Sequence, residues 1–335
     1  MSNVIECLCY ACGSEGAVLY ANEPDRVFSA AGAWSVFKCS NAACGLLWLY
    51  PSPNDEELTA AYANYYTHGN VSQSKIYRTG SVGYRIFVAA LLLIIGIPVE
   101  QARLRRMYLS HGCGKSLLDV GCGDGDFLYR MRQRGWVPTG IDPDPKAIEI
   151  AQGRIGSAAV CGDLSTISKL HKKYDVIAAN HVIEHVRDPI QFLQLCSALL
   201  RDNGRVVLLT PNALSLGHRL YGRYWRGLEV PRHLFVFSRN ALAQCAERAG
   251  FGVEAMFTTS ANAGGMICVS QVIARYGRYD KAQQARGERL FELLTRPFMA
   301  LRARFHLMRD RDSGEEIYMV LRPLRRVIGG TPISD

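Results

Sequence analysis

The chain has 335 residues, 48% of them hydrophobic and 21% charged, and a formal net charge of +9. This composition excludes a disordered chain, and the length allows one main domain with a sizeable core and a smaller second domain. The positive charge favours anionic partners, such as nucleic acid, phosphorylated metabolites or acidic lipid headgroups, without choosing among them. Eleven cysteines without a charged-then-apolar segment ahead of Cys7 favour a reducing, cytoplasmic setting over a disulfide scaffold.

Two pairs of cysteines characterise residues 1–50. The first pair is Cys9 and Cys12, and the second pair is Cys39 and Cys44. Thiolates presented by two tight turns can surround one ion tetrahedrally, and four soft sulfur ligands select zinc. The pattern therefore predicts a small zinc ribbon with a structural zinc ion held by these four cysteines. The second pair is spaced by four residues instead of two, so Cys7 stays open as a spare ligand, and unrelated reduced cysteines are the alternative.

Residues 51–114 are predicted to form a helical linker. The acidic start of Asp55–Tyr66 complements the dipole of a helix and predicts one there. The block Ile86–Pro98 (IFVAALLLIIGIP) carries no charge and is too short to span a bilayer, which needs about 20 residues. Arginines precede and follow this block, so it either packs as core or dips into a membrane interface.

Strand-like apolar runs alternate with helical runs from Lys115 onward. The predicted strands are Ser116–Val120, Val137–Ile141, Ala158–Cys161, Tyr174–Ala179, Arg205–Leu209, Val253–Thr258 and Glu316–Leu321. This alternation is typical of an α/β fold in which helices cover both faces of a parallel sheet. We therefore predict one α/β domain over residues 115–325, with a helical insertion at residues 261–313.

A glycine turn follows the first strand of this domain, within Leu117–Asp126 (LLDVGCGDGD). Ligands of doubly wound sheets bind beyond the carboxyl ends of the strands, and glycines let a ligand approach the backbone. Glycine spacing alone also occurs in dinucleotide-binding turns. Carboxylates in and after this turn would repel a diphosphate, whereas they suit the ammonium and sulfonium groups of S-adenosylmethionine. The turn thus favours S-adenosylmethionine over a nicotinamide cofactor, which stays as an alternative.

Polar residues end the next three strands in register with the glycine turn. Asp142 ends the second strand, where a carboxylate can accept hydrogen bonds from both ribose hydroxyls. Asp163 follows the third strand, where it could bind an adenine amino group, and Asn180 ends the fourth. Each of these alone could be a solvated strand-end residue. Together they indicate one cofactor site.

The sequence blocks around these residues resemble a known family. LLDVGCGDGDFL, GIDPD, CGDL, YDVIAANHVIEHVRDP, LRDNGRVVLLTPN and RHLFVFSRNALAQCAERAGF are similar to successive blocks of class I S-adenosylmethionine-dependent methyltransferases, especially ubiquinone-type O-methyltransferases, some of which carry an N-terminal zinc ribbon. The resemblance implies a Rossmann-like seven-stranded sheet whose last strand is antiparallel. The cofactor contacts it implies are Asp119, Gly121, Cys122, Gly123, Gly125, Asp142, Pro143, Asp163, Leu164, Asn180 and His181.

Candidate catalytic residues cluster after the fourth strand. The spacing of His181, Glu184 and His185 predicts that they share one face of a helix, and His233 follows the fifth strand. His181 or His233 could be a general base, or all four residues could bind a divalent ion. Some relatives are similar to the second case through an E-x-x-E-H cluster, from which this sequence departs at His181. In a third interpretation Glu184 and His185 only brace the local structure.

Two regions are candidates for choosing the acceptor. Asn212–Pro231 is a long aromatic and basic connection, typical of a lid or an acceptor-binding loop. In the insertion, Phe291, Leu294, Phe298, Leu301, Phe305 and Met308 form one apolar helical stripe with arginines around it. The stripe either packs on Ile86–Pro98 as core or, with residues 86–98, brings residues 291–311 to an anionic membrane surface.

The predicted acceptor is a small molecule, a sugar or a lipid-linked compound. A nucleic-acid-binding ribbon, or an RNA methyltransferase using the same cofactor, is the alternative class. It is disfavoured because residues 1–50 contain only Arg26 and Lys38 as cations. The oligomeric state is not indicated by the sequence.

Overall fold

The computed structural model describes residues 7–63, 90–163, 166, 172–279 and 286–324. These residues form a sheet of four strands and a sheet of seven strands. The strands are β1 Gly16–Glu23, β2 Trp34–Cys39, β3 Leu47–Leu49, β4 Ser116–Val120, β5 Val137–Asp142, β6 Ala159–Cys161, β7 Tyr174–Asn180, β8 Leu200–Pro211, β9 Phe235–Val236, β10 Phe251–Thr259 and β11 Glu316–Pro323.

Nine α-helices lie within these described ranges, besides a short helical segment at residues 90–94. They are α1 Asp55–Ala63, α2 Ile97–Leu104, α3 Asp126–Arg132, α4 Pro145–Ile155, α5 Pro189–Leu199, α6 Leu216–Tyr221, α7 Arg239–Arg248, α8 Ala263–Tyr276 and α9 Arg286–Arg309. Several begin at a capping side chain, because a helix leaves its first backbone N–H groups without partners. Asp144 caps α4, Asp188 caps α5 and Ser238 caps α7. None of the helices in these ranges is long and apolar enough to cross a membrane.

The seven-stranded sheet has the order β10-β11-β8-β7-β4-β5-β6. Strand β11 runs antiparallel to both of its neighbours, and the β4, β5, β6, β7 and β8 pairings are parallel. All seven predicted strands are confirmed, as is the antiparallel last strand. The central strand β4 is buried along its whole length, as expected when helices cover both faces of a parallel sheet. The carboxyl ends of β4, β5, β6 and β7 therefore meet at one edge.

The four-stranded sheet joins the cysteine-rich region to the rest of the chain. Its order is β1-β2-β3-β9, and β9 lies far along the chain from the other three strands. Strands β3 and β9 pair antiparallel, with Trp48 opposite Phe235. A buried ion pair adds to this junction, because Arg232 donates to both carboxylate oxygens of Asp25 at 2.9 Å. The predicted ribbon at residues 1–50 thus completes its sheet with a strand that follows β8.

The linker and the insertion meet in a small apolar cluster. Residues 90–94 are helical, and the predicted helix Asp55–Tyr66 is confirmed over α1, its last three residues lying outside the described ranges. Leu92 and Ile97 pack on Ala300 of α9. The predicted stripe on α9 does not face this contact, since Phe298, Phe305 and Met308 are 49%, 50% and 71% exposed. Residues 86–89 and the side chains of Phe291 and Leu294 lie outside the description.

The connection after β8 is packed into the protein. It contains α6 and two short 3-10 turns, and Trp225, Leu228 and Val230 are buried. The indole Nε1 of Trp225 donates to Glu315 Oε2 at 3.0 Å. The second half of Asn212–Pro231 is therefore anchored in the core by Trp225, and the role of this connection as a lid or an acceptor-binding loop stays a prediction.

Candidate functional site

The glycine turn after β4 adopts a backbone that most residues avoid. Gly121, Gly123 and Gly125 have φ values of +71°, +52° and +75°, in the left-handed region that favours glycine. A Cβ atom at Gly121 would lie 2.6 Å from Val182 Cγ2, whereas one at Gly123 would meet nothing within 4 Å. Gly121 is therefore required by packing, and Gly123 faces open space that a ligand can occupy.

Asp142 holds the glycine turn from the end of the neighbouring strand. Its Oδ2 accepts from Gly123 N and its Oδ1 accepts from Asp144 N, both at 2.9 Å. Asp119, one strand away, is also buried. Burial, and then the charge of Asp142, raise the pKa of Asp119 well above its usual value. Asp142 is thus the carboxylate that contacts the turn, and Asp119 lies buried behind it.

The other predicted cofactor contacts lie at the same sheet edge. Cys122 belongs to the glycine turn and is buried, and Pro143 directly follows β5. Asp163 follows β6, where its Oδ1 accepts from Thr166 N at 3.2 Å. Asn180 ends β7 and is exposed. The structure therefore brings these residues together, except Leu164, which lies outside the described residues.

His181 sits in a turn and not on the helix that its spacing predicts. Its φ is +54°, His185 N donates to Val182 O, and α5 begins only at Pro189. Its ring lies between two carboxylates, with Nδ1 3.0 Å from Glu184 Oε1 and Nε2 2.8 Å from Glu316 Oε1. The helical-face prediction is wrong because this turn, held by long-range contacts, replaces the first helical residues.

These two carboxylates keep His181 charged. Burial opposes the charge, but the hydrogen bonds to Glu184 and Glu316 raise the pKa of His181 to about 10. Burial likewise opposes the charge of Glu184, whose pKa the His181 contact nevertheless lowers to about 2. An imidazolium donates from both nitrogens and has no lone pair for a proton. His181 is therefore poorly suited to be a general base and well suited to position Glu184.

His185 and His233 present the opposite arrangement. His185 Nδ1 lies 3.0 Å from Arg232 O, and His233 Nδ1 lies 2.8 Å from Gly227 O. A ring nitrogen that donates to a carbonyl leaves the other nitrogen with its lone pair, as in histidines that bind metals. Burial lowers the pKa of His233 to about 4, so its ring is neutral at pH 7.

Glu184, His185 and His233 come close enough to share a ligand. Each offers one potential ligand atom, and the three atoms lie within 4.8 Å of one another. Three protein ligands with an open position are the usual protein contribution to a catalytic metal site. The structure thus unites three of the four predicted catalytic residues in this cluster, and the fourth, His181, contacts it through Glu184.

Several residues at this site were not singled out from the sequence. Tyr62 OH lies 2.9 Å from His185 Nδ1, and Glu316 contacts His181 and Asn262 Nδ2. Glu316 is an acidic residue at the start of the apolar strand β11, and this position was a sequence signal that could have identified it. Asp25 offered no signal, because its partner Arg232 lies 207 positions along the chain.

The four predicted zinc ligands form a second cluster. Cys9 Sγ lies 3.7 Å from Cys44 Sγ, and Cys12 Sγ lies 3.4 Å from Cys39 Sγ. Zn–S bonds of about 2.3 Å place tetrahedral sulfurs about 3.8 Å apart, so the cluster has the size of a zinc site. Cys7 is not part of it. The four thiols therefore fit one zinc ion, which would hold the two turns of the ribbon together.

Comparison with known proteins finds a matching family model and similar relatives. Residues 100–255 match the family described as methyltransferase domain. The chain is 31% identical over 104 residues to a ubiquinone biosynthesis O-methyltransferase of Coxiella burnetii, covering 30% of this chain and 44% of that protein. It is 35% identical over 109 residues to the Haemophilus ducreyi protein of the same name, covering 30% and 46%. The chain therefore spans less than half the length of these relatives.

A solved structure is also similar. It is a SAM-dependent methyltransferase from Archaeoglobus fulgidus, with 19% identity, coverage of 67% of this chain and 93% of that chain, and a TM-score of 0.45. The strand order and the glycine turn define the class I methyltransferase fold. Residues 100–255, which match the methyltransferase domain family, belong to this fold.

Proposed function

We propose that this protein transfers a methyl group from S-adenosylmethionine to a small-molecule acceptor. The observation that carries the proposal is the glycine turn held by Asp142 at the edge where Asp163 and Asn180 also lie. The bound cofactor would supply an activated methyl group, so alignment and exclusion of water provide much of the acceleration. The relatives named for ubiquinone biosynthesis support a small acceptor.

Each residue at the sheet edge has a separate task in this proposal. Gly123 lets the cofactor approach the backbone, since a side chain there would occupy the open space. Asp142 holds the turn and accepts from ribose hydroxyls, because a carboxylate has acceptor sites for about four hydrogen bonds. Asp163 contacts the adenine of the cofactor, and Asn180 contacts its methyl-bearing end.

The proposal is tested by finding the acceptor. We would compare extracts of cells that produce the wild-type protein with extracts of cells that produce Asp142→Asn, using mass spectrometry. One compound should differ by a single methyl group between the two extracts. Identical spectra, with both proteins present at equal levels, would contradict the proposal.

On the acceptor side, we propose that Glu184, His185 and His233 bind a divalent cation that holds an acceptor oxygen. Their ligand atoms lie within 4.8 Å of one another, and the two imidazoles are oriented by backbone carbonyls. The cation would supply Lewis-acid polarisation of the acceptor hydroxyl. The second candidate is His233 as a general base, which its neutral ring supports, and bracing of the turn is the third.

Manganese binding separates these candidates. When Mn²⁺ is titrated into the wild-type protein, binding should weaken the electron paramagnetic resonance signal of the free ion. The His233→Gln variant should bind Mn²⁺ at least about tenfold more weakly. The control is His111→Gln, at a position without a described role at the site. Equal Mn²⁺ affinity of the wild type and His233→Gln, with methyl transfer lowered about 100-fold, would favour the base instead.

We further propose that the protein works at an anionic membrane surface on a lipid-linked acceptor. The exposed side chains of Phe298, Phe305 and Met308 on α9 support this proposal, as do the exposed Arg302 and Arg309 on the same helix. A basic amphipathic helix binds such a surface through both features. Phosphatidylglycerol vesicles should pellet the wild type but not Phe305→Ser, and Val18→Ser on the ribbon is the control. Recovery of the wild type entirely in the supernatant would contradict it.

A further inference from the structure

A chain of polar side chains follows the carboxyl edge of the seven-stranded sheet on the side of β7 and β11. It begins at Asn262, directly before α8, and continues through Glu316 at the start of β11 to His181 after β7. Asn262 Nδ2 donates to Glu316 Oε2 at 3.0 Å, and Glu316 Oε1 lies 2.8 Å from His181 Nε2. His181 Nδ1 lies 3.0 Å from Glu184 Oε1. The chain therefore ends at a member of the cluster proposed to bind a divalent cation.

Both ring nitrogens of His181 are committed to carboxylates. An ionised carboxylate only accepts hydrogen bonds, so one nitrogen donates to Glu184 and the other to Glu316. These two glutamates are 0% and 1% exposed, and hydrogen bonds between charged groups are short and strong. Thr210 Oγ1 donates to the second oxygen of Glu184 at 2.9 Å. Both oxygens of Glu184 are therefore held by donors.

Two residues of this chain forgo a more stable local arrangement. Asn262 is the N-cap of α8, a position where an asparagine side chain ordinarily accepts from the first turn of the helix. Within the described residues it makes no such hydrogen bond, and it donates to Glu316 instead. His181 has a φ of +54°, which few residues other than glycine adopt. Strained backbone is concentrated at functional sites, so the arrangement favours a functional role for the chain over stabilisation alone.

We infer that Glu316 is a positioning residue of the acceptor side. Through His181 it holds the carboxylate of Glu184 toward the other two potential ligands of the cluster, which lie within 4.8 Å. Asn262 holds Glu316 in turn. Hydrogen-bond partners of metal ligands orient these ligands and raise metal affinity. The inference rests on the proposed cation site, and it connects the start of α8 to that site by three consecutive hydrogen bonds.

Manganese affinity tests the inference. The full chain, loaded with adenosylhomocysteine, is titrated with Mn²⁺ while the electron paramagnetic resonance signal of the free ion is measured. Glu316→Gln keeps the size of the side chain but removes its charge, and it should weaken Mn²⁺ binding about tenfold. The matched control is Glu315→Gln, because Glu315 is the neighbouring buried residue and accepts from Trp225 and Gly217 instead. This control should change the affinity by less than about twofold.

A double-mutant cycle separates positioning from general support of the fold. His181→Asn removes the ring that joins the two carboxylates, and asparagine tolerates the left-handed backbone at this position. If Glu316 acts through His181, Glu316→Gln should have little further effect on Mn²⁺ affinity in the His181→Asn background. Asn262→Ala is a milder variant, because it removes no helix cap, and it should weaken Mn²⁺ binding about threefold.

The outcomes separate this inference from the proposals on which it rests. If the wild type and Glu316→Gln bind Mn²⁺ equally well, the inference is overturned and the proposed cation site stands. Additive losses in the double variant would also overturn it, because Glu316 would then act independently of His181. A wild type that binds no Mn²⁺ would overturn the cation site and the inference with it, whereas binding of adenosylhomocysteine tests the proposed methyl transfer separately.

Discussion

The proposed cofactor edge, at the carboxyl ends of β4, β5, β6 and β7, and the proposed acceptor side, around Glu184, His185 and His233, are built in different ways. At this edge, Gly123 follows β4 and Asp142 ends the neighbouring β5, and the backbone N–H of Gly123 donates to the Asp142 carboxylate. On the acceptor side, His185 contacts Tyr62 from the linker, and Arg232 contacts Asp25 from the ribbon. The first site is assembled by a local motif of the sheet, and the second by contacts between distant parts of the chain. Perturbing the ribbon should therefore damage the second site and spare the first.

The largest expected effect comes from removing one zinc ligand. Structural zinc contributes about 10 kcal/mol or more to small cysteine domains, so Cys44→Ser should lose the metal and unfold the ribbon. Methyl transfer should then fall, while adenosylhomocysteine affinity changes by less than about threefold. Metal content and calorimetry measure the two effects. Cys7→Ser, outside the cluster, should keep its zinc, and an equal loss of cofactor affinity in Cys44→Ser would break the comparison.

A smaller effect is expected at the junction itself. Arg232→Met leaves Asp25 and Glu229 without their buried cation, which should lower the free energy of unfolding by about 3–5 kcal/mol. Urea denaturation measures this change. Arg205→Met removes an exposed pair with Glu254 and should cost about 0–1 kcal/mol. A similar loss of unfolding free energy in the two variants would show that the buried ion pair stabilises the protein no more than the exposed pair does.

Asp142→Asn tests the cofactor edge alone. The substitution weakens the hydrogen bonds that hold Gly123 and Asp144, and it removes the charge proposed to accept from ribose. We expect adenosylhomocysteine to bind about 100-fold more weakly, with zinc retained. Asp202→Asn, at an exposed position, should bind normally. Unchanged affinity in Asp142→Asn would remove Asp142 from the site.

The smallest effect concerns the pH dependence of the connection after β8. Burial raises the pKa of Glu315 to about 7, even though Trp225 and Gly217 donate to it. Because this pKa lies above the usual value, the contribution of Glu315 to stability is present below about pH 4.5 and is lost as pH rises toward 7. Unfolding free energy should fall by on the order of 2 kcal/mol over this range. Glu315→Gln should remove that slope, and an unchanged slope would contradict it.

The sequence predicted the strands of the proposed cofactor edge, because these strands follow from the regular alternation of apolar and helical runs. All seven strands were located from apolar runs, and Asp142 and Asn180 lie at the ends of β5 and β7. On the proposed acceptor side, the spacing predicted a helix at His181, where the structure has a turn. His181 takes a left-handed backbone that no local pattern indicates, because Glu316 from the last strand holds its ring. Helical spacing in the sequence contains no information about such long-range contacts.

The apolar stripe on α9 illustrates the same limit. Its three-and-four spacing predicts a helix, which the structure has, but spacing alone does not say which face is buried. Ala300 and Ala303 form the buried face, and Phe305 is exposed. Small residues allow close helix packing here, so the large apolar side chains turn outward.

The most direct test of the central claim is calorimetric titration of the purified chain with S-adenosylmethionine, adenosylhomocysteine and NAD⁺. We expect both adenosyl compounds to bind at one site per chain, with dissociation constants on the order of micromolar, and NAD⁺ to give no heat of binding. Binding of NAD⁺ alone, or of none of the three, would contradict the assignment of this sheet edge to S-adenosylmethionine.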